Sequence, residues 1–114
     1  MPKFVLIFRG AVAQSELSAA EMQAHLAKWY AWSDAIAAAG RRHGGQTLAR
    51  EGKTLRGRDR LVTDGPYAES KDLVAGSLVI SADSIDDAVA TARDCPVFDY
   101  GGSVEVRPVT GREI

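Results

Sequence analysis

Val62-Thr63-Asp64-Gly65-Pro66-Tyr67-Ala68-Glu69-Ser70-Lys71-Asp72 divides the chain into two halves. A short strand-like run, Arg60 to Thr63, leads into it and ends at Asp64. A longer apolar run, Leu73 to Ile80, leaves it. Pro66 fixes its own φ and has no N–H to give, so no strand passes through it. It also keeps Gly65 out of the helical region. The expected result is a stiff connection with a carboxylate at its entrance. Stiff loops on a scaffold are where binding groups tend to be carried, so a site is expected here.

Outward from this loop the elements fall into order. Lys3 to Arg9 reads as a strand, with Phe4, Leu6 and Phe8 on one side and Val5 and Ile7 on the other. Both sides are apolar, as in a strand covered on both faces. Ser18-Ala19-Ala20-Glu21 is a capping box, with Leu17 and Met22 spaced as a hydrophobic staple. The helix it opens should run to about Ala39 and stop at Gly40. Met22, Leu26, Trp29, Ser33 and Ile36 form the stripe expected to face the sheet. His25 and Trp32 fall on its flank, where core or a subunit interface is favoured over a ligand cradle.

A second strand is expected from Arg42 to Leu48, after which Ala49 to Asp59 reads as an exposed hairpin arm turning at Arg50-Glu51-Gly52-Lys53. The long strand Leu73 to Ile80 contains Gly76, a mark of twist or close backbone approach. Ser84-Ile85-Asp86-Asp87 opens a second helix, which Pro96 closes near Asp94. Val97 to Gly102 reads as a loop, and Ser103 to Val109 as a last strand ending at Pro108.

The order is β-α-β-β-α-β with an extra hairpin. Two helical crossovers then place both helices on one face, with the strands they join expected as parallel neighbours. This is the ferredoxin-like α+β plan. The bare face would be an apolar patch that monomers rarely tolerate. A homodimer, sheet against sheet about a two-fold axis, is the economical cover. Glu105 and Arg107 on that face would then line a shared cleft.

Bulk composition narrows the function classes. A chain of 114 residues with 46% hydrophobic and 25% charged residues reads as one ordinary globular domain. Its net charge of −1 argues against a general polyanion binder. Residues 41–60 nonetheless hold seven basic side chains against Glu51 and Asp59. No aromatic residue interleaves them, so nucleic acid is not the expected partner. A solvated hairpin is the plain reading; a basic rim drawing an anionic small molecule or an acidic partner is the sharper one. The single Cys95 fits a reducing compartment, and the short apolar opening, closed by Arg9, is not a signal or membrane segment. A cytoplasmic protein is expected.

The same stretch, 62–71, resembles the signature of the YCII-related family, in the subgroup named for its Asp-Gly-Pro-Phe motif. Gly102-Ser103-Val104-Glu105-Val106-Arg107-Pro108 is similar to that subgroup as well, and the resemblance spans nearly all of residues 1–114 as a single domain. Tyr67 stands where the subgroup usually has Phe. The resemblance implies a dimeric α/β barrel, similarity to small ring-opening and lactone isomerases, a suggested His–Asp pair in some members, and association with extracytoplasmic-function sigma factors.

Two functions follow as expectations. In the first, Asp64 is the base of an acid–base enzyme, its affinity for protons raised by half-burial between two sheets. Tyr67 would orient substrate, and Arg9, Arg107 or Lys71 would hold an anionic group. Against this, Asp64 can simply cap its own Asp-Gly-Pro turn. His43 reaches Asp64 only if the second and third strands bring their ends together. In the second, the protein is a non-catalytic binding or regulatory module, its basic arm meeting a partner such as a sigma-factor domain. No cofactor and no metal are expected: two histidines 18 apart and one cysteine do not make a metal site.

Overall fold

A computed structural model of the chain describes residues 1–12, 16–66 and 72–114. Strand β1 (Lys3–Arg9) is followed by helix α1 (Ala19–Ala38), strands β2 (Arg42–Thr47), β3 (Lys53–Arg56), β4 (Leu61–Asp64) and β5 (Val74–Ser81). Helix α2 (Ile85–Ala92), a 3-10 turn (Pro96–Tyr100) and strand β6 (Ser103–Pro108) complete the chain. The main sheet has the order β2-β5-β1-β6, and every neighbouring pair is antiparallel. Strands joined by a helix do run parallel, but one strand lies between them. The expectation of parallel neighbours is therefore corrected, while the mixed α+β order is compatible with the ferredoxin-like plan.

The register explains the two faces. Phe4 pairs with Ile80, Leu6 with Leu78 and Phe8 with Gly76, and these side chains point toward the helices. There they meet Ile36 of α1, Ala88 and Ala92 of α2, and Val97. Leu6, Ile80 and Val97 are sealed from solvent. The small side chains of α2 let it lie close against the sheet. Both helices start as the sequence indicates. The Ser18 hydroxyl accepts from the Glu21 amide at 3.1 Å and the Glu21 carboxylate from the Ser18 amide at 3.0 Å. These two bonds hold the Glu21 carboxyl below the usual carboxylate range. Ser84 accepts from the Asp87 amide at 3.1 Å. Gly40 ends α1 at φ +73°.

Strands β2 and β5 are drawn together by two glycines. A Cβ on Gly45 would fall against the Ser77 carbonyl oxygen, and one on Gly76 would sit 2.5 Å from the Gln46 carbonyl oxygen. Arg41 fastens the same edge to α2, donating to the Ser81 carbonyl at 2.8 Å and to Asp87 at 3.0 Å.

The arm departs from expectation in its register. Its strands are β3 and β4, so Leu61–Asp64 is the returning strand of the hairpin and not part of the main sheet. The turn lies at 57–60, where Gly57 and Arg60 both take positive φ and the Arg60 amide bonds the Gly57 carbonyl at 3.1 Å. Gly52 lies instead at the arm's foot, its carbonyl accepting from the Gly65 amide at 2.7 Å.

Segment 97–102, expected as a loop, is mostly the 3-10 turn that Pro96 opens and Gly101 closes. Cys95, just before it, is buried, and burial pushes its thiol up to about 11. No described helix is long and apolar enough to cross a membrane.

Candidate functional site

The buried stripe of α1 is rotated from the expected one. His25, Trp29, Trp32 and Ile36 face inward, while Leu26 and Tyr30 are exposed. The reason lies in the aromatic packing. Phe8 meets Trp29 edge-on at 5.0 Å and Trp32 at 5.9 Å, and the two indoles meet each other at 5.8 Å. Offset or edge-on aromatic pairs add stability beyond their buried area. The Trp32 N–H also donates to the Thr91 carbonyl at 3.1 Å, tying α1 to α2.

This turn of the helix carries His25 into the interior, where it is only 7% exposed. The Trp29 indole N–H donates to His25 Nε2 at 3.0 Å. An indole can only donate, so Nε2 must carry the lone pair and the ring proton sits on Nδ1. Nδ1 is buried and has no hydrogen-bond partner among the described residues. Burial lowers the pKa of His25; Asp99 opposes this and Lys28 adds to it. The imidazole is therefore neutral at pH 7, and it is a donor through Nδ1. The Tyr100 ring stands edge-on over it at 4.9 Å.

His25 borders a cleft of about 1170 Å³ between α1 and the β2–β5 half of the sheet. Phe8, Met22, Leu26, Trp29 and Trp32 form its apolar wall, and Gly45 to Ala49 and Leu73 to Ala75 lie opposite. Two arginines border it. Arg42 donates to the Ser33 hydroxyl at 2.8 Å, and Arg50 donates to the Ala11 carbonyl at 2.9 Å.

The residues anticipated from sequence lie elsewhere. Asp64 is at the foot of the arm, its side chain 90% exposed and paired with Lys53 at 2.6 Å. The half-burial expected of it is absent from the protomer, because β4 belongs to the arm and not to the sheet. Arg9 and Arg107 lie on the helix-free face, where they flank Glu105 at 3.4 and 3.5 Å. Arg9 also donates to the Asp72 carbonyl at 2.9 Å. His43 contacts the Ser81 hydroxyl through Nε2. Tyr67 and Lys71 lie outside the described residues. Among the described residues no group of three or more His, Cys, Asp or Glu side chains could hold a metal.

Sequence reasoning left His25 on a flank because it lies outside the 22-26-29-33-36 stripe. The signal that could have placed it was the (i, i+4) pairing of His25 with Trp29, a buried acceptor beside an obligate donor.

The YCII-related domain pattern matches residues 4–112, and the chain belongs to that family. A protein of Rhizobium meliloti (strain 1021), described only as uncharacterised, is 40% identical over 52 residues. That match spans 45% of this chain and 42% of the relative, so the chain covers less than half the length of that relative.

Proposed function

We propose that this chain binds a small, largely apolar or aromatic molecule in the cleft beside α1. The wall of Phe8, Trp29 and Trp32 with one buried neutral imidazole is the observation that carries this reading. Apolar pockets with a few placed polar groups are the common form of ligand sites. A buried N–H left unpaired costs about 1–3 kcal/mol, so Nδ1 of His25 favours a ligand that presents an acceptor. The arginines at 42 and 50 suit an anionic group on the same ligand.

Both tryptophans of the chain border the cleft, so their fluorescence reports its occupancy. Titration with aromatic carboxylates should quench it saturably, and His25→Gln should weaken binding about tenfold, the loss of one hydrogen bond of about 1.4 kcal/mol. No saturable quenching by any aromatic carboxylate, or equal affinity in the variant, would defeat the reading.

Acid–base catalysis by Asp64, with Arg9, Arg107, Tyr67, Lys71 or His43 holding substrate, belongs to a homodimer in this proposal. Val5, Ile7 and Val79 share the half-buried helix-free face, which supports its use as the dimer surface. A second protomer would supply the cover that Asp64, 90% exposed, needs for this chemistry. Ile7→Asp should convert a dimer to monomer in light scattering; an unchanged mass would remove this support. For regulation through a sigma-factor partner, the support is the family resemblance and the basic charge of residues 41–60.

A further inference from the structure

The β3–β4 ribbon forms a sheet of its own, apart from the four-stranded one. A two-stranded ribbon is marginal by itself in water. This one makes its substantial contacts within itself. Its cross-strand pair Leu55–Val62 is nonetheless apolar and open, with Leu55 63% and Val62 52% exposed. The molecule is correspondingly spread out. Its radius of gyration is 15.5 Å, where a compact domain of this length has about 13 Å.

A second apolar surface is open on the outer side of α1. Leu17, Met22, Leu26 and Tyr30 line a groove there of about 620 Å³, with Tyr30 63% exposed. Helix α1 is thus apolar on its outer side as well as its inner one. The two surfaces match in charge. Residues 53–64 carry Lys53, Arg56, Arg58 and Arg60 against Asp59 and Asp64, a net +2. Residues 16–38 carry Glu16, Glu21 and Asp34 against Lys28, a net −2. An apolar pair on a net-positive ribbon and an apolar groove on a net-negative helix thus occur on one and the same chain.

We propose that the ribbon of one protomer clasps the outer groove of α1 on a second copy, seating Leu55 and Val62 against Leu26 and Tyr30. The contact joins unlike surfaces, so a two-fold axis would make it twice. Met22, Leu26 and Tyr30 border the inner cleft as well, so this contact and a ligand in the cleft share part of their lining. The contact differs from the helix-free face in every residue it uses.

Disulfide trapping between full-length chains tests it. Protein carrying L55C is mixed with protein carrying Y30C and oxidised; Cys95 is buried and does not compete. The mixed disulfide should form at least tenfold more than between L55C and D86C, a surface position outside the contact. Adding V62D to the L55C chain should return the yield to that background. A 55–30 yield no greater than the D86C background, or one that V62D leaves untouched, overturns the proposal. Circular dichroism of each variant confirms that the fold persists.

Discussion

The indole N–H of Trp29 and Nε2 of His25, one helical turn apart, form a 3.0 Å hydrogen bond inside the protein. That bond fixes which imidazole nitrogen carries the proton, and the surrounding burial keeps the ring neutral. A stability dependence on pH follows. The folded pKa of His25 lies below its unfolded value of about 6.5, so the unfolded chain binds the extra proton first as pH falls. Stability is full above about pH 6.5 and declines on acidification from there. The melting temperature of the native protein should fall between about pH 6.5 and 5, and His25→Gln should flatten that slope. Equal slopes in both proteins would show that another group titrates.

Gly45→Ala should destabilise the protein by about 1–3 kcal/mol, the usual effect of overpacking. Its added methyl meets backbone on β5, the Ser77 carbonyl and the Leu78 Cα, neither of which is the end of a flexible side chain. Urea denaturation measures this directly. Gly52→Ala meets nothing within 4 Å and serves as the control, with little change expected.

Asp87 gathers three contacts at the start of α2. Its carboxylate accepts from Arg41 and from the Asp83 amide at 2.9 Å, and its own amide bonds Ser84. Asp87→Ala should cost on the order of 1–2 kcal/mol through lost capping and a lost charge-assisted bond. Arg41→Ala should cost less than the sum when combined with it, because the two share one interaction. A fully additive double variant would contradict the pairing.

Asp64→Asn should leave the melting temperature within a degree or two. Its ion pair with Lys53 is solvent-exposed, and such pairs contribute about 0–1 kcal/mol. A large loss of stability would mean that the carboxylate is buried in the assembled protein. Turnover of a substrate that survives the change would remove Asp64 from the chemistry.

Most of the fold was legible in the residues, because strong local signals agreed with the final packing. The capping box at Ser18–Glu21, the stop at Gly40, the cap at Ser84 and the two-faced strands at 3–9 and 73–80 are local patterns that the tertiary structure had no reason to override. The arm turn was not legible. Arg60 adopts a left-handed conformation at φ +55°, and arginine gives no sign of it, while Gly52 looked like a turn and is not one. The site was read least well. A helix whose apolar residues nearly encircle it does not announce which stripe is buried, and the choice fell to the Phe8–Trp29–Trp32 packing, a contact between distant segments.

Cys95 turns the protein into its own gauge of opening. The sole thiol is enclosed and held protonated near neutral pH, so a maleimide or disulfide dye finds it only in molecules whose core has come apart. The labelling rate of the native chain therefore counts excursions from the folded state under conditions where no denaturant is present.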